Sequence, residues 1–307
     1  MVAGMLAENA FGQMLNSSPQ SATDGRLILP MNRNWRYSRS FAEGTQAKDF
    51  DDSKFETVVV PHTNARLPWH GFDEKTYEFI SIYRRHFKLP SEARGKHAFV
   101  DFEGVMTAST VWINGVRLGE YKGGYTPFSF ELTPHLDFDK ENVLAVAVDS
   151  TERADIPPFG YEIDYLTFGG IYREVSLRMV PAVFIENIFV KPKDVLTKPT
   201  LDVDCFLQHL EASSSPLTIE VELLEGDRVK AKASQKVSAT GISAEPMAHT
   251  VHFDNLSGIQ LWSFEERNLY SVRIRLLRGT HVVDEDSRRF GFRKAEFTDH
   301  GFELNGK

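Results

Sequence analysis

The chain has 307 residues, enough for two β-sandwich domains that each bury a core. A formal charge of −8 and an isoelectric point near 5.7, without clustered Lys and Arg, exclude a polyanion-binding surface, so nucleic acid is not an expected partner. A single cysteine, Cys205, rules out an internal disulfide, and its place between Val203 and Leu207 in an apolar alternation predicts a buried thiol from a reducing compartment.

Residues 1–26 lack the basic start and apolar core of a secretory signal, and Ser17, Ser18, Pro19, Ser21 and Gly25 predict a flexible lead-in. No apolar run reaches membrane-span length, so no membrane association and a cytoplasmic location are expected. The stretch LILPMNRNWRY opens the ordered chain near Leu27. Asp49 to Asp52 predict a solvated acidic turn, since their spacing fits no EF-hand loop, and Glu56 to Val60 form a strand stopped by Pro61. Strands follow at 79–89 and 97–102. Val111 and Ile113 alternate with Thr110 and Trp112; Asn114-Gly115 then tolerates positive φ and Val116 resumes, which predicts a hairpin with a type I′ turn. Phe102 and Trp112 are expected in the core. Phe128, Phe130 and Leu132 mark another strand, and NVLAVAVD at 142–149, apolar on both faces, suits the centre of a sheet.

No convincing helix period occurs between Leu27 and Val180, so the first domain, 27–180, is all-β by pattern. Residues 181–290 show short strands at regular spacing (VFIENIFVKP, LDVDCFL, LTIEVELLE, AHTVHFD, LYSVRIRLL), separated by turn signals such as Gly226-Asp227. That suits an immunoglobulin-like sandwich without the Cys…Trp…Cys signature. His249 and His252, three apart on a strand, point to opposite faces and are poor joint metal ligands.

The words FEGV, WINGVRLG, GGYTPFSFELT and TFGGIYREVSL, flanked by NRNW and VVVPHTN before them and RRFGFRKAEFTDHGFELNGK after, resemble glycoside hydrolase family 2, over about nine tenths of the chain. The resemblance implies a jelly-roll, galactose-binding-like sandwich followed by the immunoglobulin-like sandwich. Residues 291–307 would be the lead-in to a catalytic TIM barrel. LWSFEERNLY departs from the family's pattern, with Phe264 and Arg267 where prolines are usual. Retaining glycoside hydrolysis needs two carboxyl groups about 5 to 5.5 Å apart. In the family both are glutamates of the barrel, one directly after an asparagine; this chain has no Asn-Glu dipeptide, and a barrel needs roughly 250 residues. No catalytic residue is therefore assigned, and hydrolysis by this chain alone is not expected. GxSxG, HExxH, GxxxxGK[ST] and GxGxxG are absent too.

The loop TERADIPPFGYEIDYLTFGG concentrates Phe159, Tyr161, Tyr165 and Phe168 with Asp155, Glu162 and Asp164, a mixture that suits a sugar's C–H faces and hydroxyls, or that packs the loop onto the sandwich. Counting back from Gly170-Ile171-Tyr172-Arg173-Glu174-Val175, the resemblance implies that Asp164 touches both the sugar and a bound sodium ion. Tyr165, one of the loop's aromatics, is expected to bind substrate beside it in sequence, and by the same resemblance Asn64 of PHTN approaches the sugar; an Asx turn is the structural alternative for Asn64. His62 is expected to brace its own loop, and Arg173 to pair across a domain interface or face solvent. No cofactor is expected to be essential. The partners implied are carbohydrate and a catalytic barrel, with a homo-oligomer left open. Two further functional classes stay open, a free-standing carbohydrate-binding module and an interaction module that docks a separate barrel subunit.

Overall fold

The computed structural model describes residues 25–66, 70, 73, 76–157, 168–211, 216–238, 241–243 and 245–307. These form antiparallel strands joined by turns, with helix limited to 3-10 turns such as Ser91–Ala93 and Thr133–His135. Ten strands build the first sandwich: β1 (Leu27–Pro30), β2 (Trp35–Ser38), β3 (Glu56–Val58), β4 (Ile80–Phe87), β5 (His97–Phe102), β6 (Ala108–Ile113), β7 (Val116–Lys122), β8 (Phe128–Glu131), β9 (Asn142–Asp149) and β10 (Val175–Val180). One sheet runs β3-β2-β4-β9-β6-β7 and the other β1-β10-β5-β8.

Between them lies a core to which the first sheet gives Trp35, Tyr83, Val111, Ile113, Leu144, Val146 and Val148, and the second Val100, Phe102, Phe128 and Leu177. Alternation puts every second residue of these strands inside, and each fully buried aliphatic or Phe side chain contributes about 1.5–3 kcal/mol. The hairpin turn has the expected form, with Asn114 at φ 52° and Gly115 at φ 82°. Central strand β9 is covered on both faces. Leu144, Val146 and Val148 face the core, while Ala145 and Ala147 lie under Phe41, Phe55 and Trp112 on the other side.

Two expectations are corrected on that other side. Trp112 is not in the main core: it alternates with the buried Val111 and Ile113, so the pleat turns it to the outer face, where it stacks on Phe41 with ring centroids 5.9 Å apart. Asp52 does not belong to a solvated turn: it is 8% exposed and accepts from Arg84 Nε at 2.7 Å. Arg84, fully buried on the outer face of β4, draws the 39–55 segment over the sheet.

The second sandwich comprises β11 (Val183–Lys193), β12 (Thr200–His209), β13 (Leu217–Glu225), β14 (Arg228–Val237), β15 (Met247–Phe253), β16 (Tyr270–Arg278) and β17 (His281–Phe290). Three strands (β11-β12-β15) face four (β14-β13-β16-β17), a seven-strand immunoglobulin-like layout. Cys205 is buried in its core, and burial pushes its thiol up to about 12. His252 is exposed and bonded to Asp202, while His249 turns to the other face. In the LWSFEERNLY segment Ser263 closes the turn, its Oγ accepting from Glu266 N–H at 2.9 Å. Phe292 packs into this core, two residues beyond the expected boundary. A hairpin of β18 (Ala295–Thr298) and β19 (Gly301–Leu304) follows, with Phe297 89% exposed.

Candidate functional site

The long connection between β9 and β10 is rooted in one buried patch of the first sandwich. At its start, Ser150 donates its N–H to Phe79 O at 3.1 Å and its hydroxyl to Met106 O at 3.2 Å. Past its far end, Gly170 and Met106 exchange both backbone hydrogen bonds at 3.0 Å. The segment after Pro61 runs beside them: His62 N–H donates to Ile171 O at 2.7 Å and Asn64 N–H to Gly169 O at 2.8 Å. Glycine is required at both positions of this strip. A Cβ on Gly169 would overlap Ser150 Oγ and Asn64 Nδ2, and Gly170, at φ 114°, would meet His62 O and Tyr83 Oη.

Three rings lie beneath the strip. Tyr37 stands 4.8 Å from both His62 and Tyr83, centroid to centroid, and His62 Nδ1 lies 2.9 Å from Tyr83 Oη. Burial pushes Tyr37 up to about 12, raises Tyr83 well above the usual phenol range and lowers His62. All three are therefore neutral near pH 7. The patch supplies shape and hydrogen bonds rather than charge or a proton.

Asn64 is 4% exposed; its Nδ2 donates to Tyr77 O at 2.8 Å, and its carbonyl accepts from Tyr37 Oη at 2.8 Å. Those contacts give it a bracing place under the strip instead of a free amide at the surface. His62 braces the loop as expected. Arg173 is exposed, with its guanidinium over the Tyr172 ring. Asp164 and Tyr165, with Phe159, Tyr161 and Glu162, lie outside the described residues.

The nearer stem of the loop carries an ion network. Arg153 reaches Asp149 and Glu120 at 3.4 Å and Asp155 at 3.0 Å, and Lys122 reaches Asp155 at 2.5 Å. Hydrogen bonds from Arg153 and Lys122 hold the Asp155 carboxyl well below its usual range. Among the described residues, no group of three His, Cys, Asp or Glu is placed to hold a metal ion. Ser150, Met106, Tyr37 and Tyr83 were not singled out from the sequence; the pair Gly169-Gly170 opposite His62-Thr63-Asn64 was the legible trace of their packing.

Comparison with known proteins yields consistent matches. The family model for the sugar binding domain of glycosyl hydrolases family 2 matches residues 34–181, and a second model, glycosyl hydrolases family 2, matches residues 183–293. A beta-galactosidase of Thermoanaerobacterium thermosulfurigenes is 39% identical over 284 residues, covering 92% of this chain and 39% of that protein. A beta-glucuronidase of Formosa agariphila is 29% identical over 313 residues, covering 92% of this chain and 31% of its own length. Among solved structures, Bacteroides uniformis beta-glucuronidase superposes with a TM-score of 0.83 at 28% identity, over 92% of this chain and 34% of that one. The chain thus spans between three and four tenths of the length of these relatives.

Proposed function

Because this chain belongs to glycoside hydrolase family 2, as its non-catalytic N-terminal portion, we propose that it shapes the sugar site of a retaining β-glycosidase of the β-galactosidase type. The observation that carries this is the rooting of the β9–β10 loop. Both of its described ends are bonded to the same strip around Met106 and Gly170, which gives the loop a rigid base. On that base, Asp164 accepts hydrogen bonds from sugar hydroxyls and Tyr165 covers an apolar face of the ring, while Asn64 holds the base from beneath. A carboxylate acceptor fixed before substrate arrives discriminates by hydroxyl position, because a sugar lacking that hydroxyl leaves it desolvated and unpaired.

Bond cleavage belongs to the paired carboxylates of a barrel partner, for which this portion supplies part of the wall. Asp164 would also be a ligand of a sodium ion, whose charge would orient sugar oxygens; no step depends on it. The test is Asp164→Ala in the enzyme that contains the barrel. kcat/KM for an aryl β-galactoside should fall about tenfold to a thousandfold, roughly 1.4 to 4 kcal/mol, with the melting temperature unchanged. Unchanged kinetics with a large drop in melting temperature would make Asp164 a loop anchor and defeat the proposal. Faster turnover of an aryl β-glucuronide than of the galactoside would move the assignment to the glucuronidase branch.

A further inference from the structure

The six-stranded sheet has an outer face that the sandwich core does not use. Strand register sets three rows of outward residues across it: Ile80, Asp149, Ala108 and Lys122; Ile82, Ala147, Thr110 and Glu120; Arg84, Ala145, Trp112 and Arg117. Where the first two rows cross β9 and β6 the side chains are mostly small, whereas the positions around them hold Trp, Arg, Glu and Ile. The face is therefore hollowed into a groove of about 400 Å³ with Ala147, Ala108 and Thr110 at its floor.

The walls differ in chemistry. One is the Phe41–Trp112 stack, 5.9 Å between centroids with planes 21° apart, rimmed by Gln46 and Glu43 that are bonded to each other at 2.6 Å. The other is Arg153 with Asp149 and Glu120, each held at 3.4 Å. Arg117 borders the groove and has no acidic partner among the described residues.

We propose that this groove, whose polar wall takes Arg153 from the nearer stem of the β9–β10 loop, binds a saccharide. A sugar ring has an apolar C–H face and a rim of hydroxyls that both donate and accept. The groove offers an aromatic wall for the first, and carboxylates, guanidinium groups and the Thr110 hydroxyl for the second. The polar wall is tied in place by its own ion pairs before any ligand arrives, which lowers the ordering cost of binding. Other ligand classes fit less well. Three carboxylates against two arginines disfavour an anion, the arginines disfavour a cation, and the ion network disfavours a wholly apolar ligand. The volume lies at the low end for small-molecule clefts and has room for about one or two hexose rings. Only the choice of β-galactosides as probes rests on the proposed function. Phe41, Thr110 and Trp112 of the groove take no part in the proposed function, so the two proposals can fail separately.

The experiment uses the 307-residue chain, its indole N–H resonances assigned with Trp112→Phe, titrated with lactose and with β-1,4-galactotetraose. The Trp112 resonance should shift saturably with a Kd in the range of about 0.1 to 10 mM. Thr110→Tyr, which fills the floor from the solvent side, should weaken binding at least tenfold while its circular dichroism spectrum and melting temperature stay those of the parent. Absence of a Trp112 shift up to about 50 mM of either sugar would overturn the proposal. So would equal binding by Thr110→Tyr, or a Trp112 shift that follows protein concentration instead of sugar, which would make the face a contact between copies.

Discussion

Arg84 is fully buried, and its charge is met on several sides: Nε by Asp52 at 2.7 Å, and Nη1 by the carbonyls of Thr45 at 2.6 Å and Ala47 at 2.9 Å. Burial works against the Asp52 charge, but hydrogen bonds from Arg84 and His86 outweigh it and hold that carboxyl below its usual range. Arg84→Met would leave Asp52 with His86 alone among the described residues and release the 39–55 segment. Removing one member of a buried pair costs about 3–5 kcal/mol; because His86 remains, about 3 kcal/mol is expected from the urea midpoint at pH 7. A change under about 0.5 kcal/mol would show the pair to be dispensable. Sequence could not foresee this contact, because an arginine inside a strand and an acid in a turn 32 residues earlier carry no mutual signal. Trp112 illustrates a related limit. Its strand and its opposition to Val111 and Ile113 were legible, but alternation tells two faces apart without telling whether a loop covers the second. Asn64 lies in the legible word PHTN, yet its donation to Tyr77 O depends on a chain segment the word does not contain.

At the scale of elements, the strands read from sequence were those with apolar alternation, and β14 and β17 escaped. Both are edge strands of the four-stranded sheet. Their sequences, RVKAKASQKV and HVVDEDSRRF, are dense in charge, as befits edges that must not pair with another chain. The inner strands carry a different liability. His209, at the end of β12, is 1% exposed, and neither ring nitrogen meets a described residue with hydrogen-bond geometry. Burial lowers its pKa, against a weaker opposing Gly241 backbone contact, and burial likewise lowers that of His249 on the neighbouring β15. The sign follows from linkage. Below about 6.5 the unfolded chain takes up protons that these folded imidazoles refuse, so stability is full above that pH and is lost as pH falls toward the folded values. The denaturant midpoint of the parent should thus drop between pH 7.5 and 5.5, and His209→Leu should flatten that drop. Equal slopes in parent and variant would exonerate His209.

The molecule as a whole was legible as two all-β units because each carries its own alternating patterns, and those patterns specify two cores without specifying how the units meet. The meeting is made by charged residues. Arg178 of β10 binds Asp101 in its own sandwich and Glu186 in the next, and His97 lies 3.5 Å from Glu211. Arg26 was expected inside a flexible lead-in, but is instead mostly buried, with its side chain 14% exposed. Its Nε and Nη2 clasp Asp284 at 2.9 and 2.6 Å, Nη2 also donates to Ile185 O at 2.5 Å, and Nη1 reaches Asp286 at 3.2 Å. The preceding carbonyl, Gly25 O, accepts from Lys96 of the first sandwich at 2.5 Å, and β1 follows at once. One residue thus anchors the start of the first sandwich to the core-facing acid of the second. Asp284 is fully buried, and without Arg26 it keeps, among the described residues, the Ile185 N–H at 2.8 Å. Arg26→Ala should therefore cost about 3 kcal/mol, and Arg26→Lys should recover little of it, because a lysine cannot reproduce the forked contact. Calorimetry distinguishes a lost clamp from a lost local contact: the parent should unfold in one cooperative transition and Arg26→Ala in two. A single transition merely shifted to lower temperature would place the effect within one sandwich and deny Arg26 its joining role.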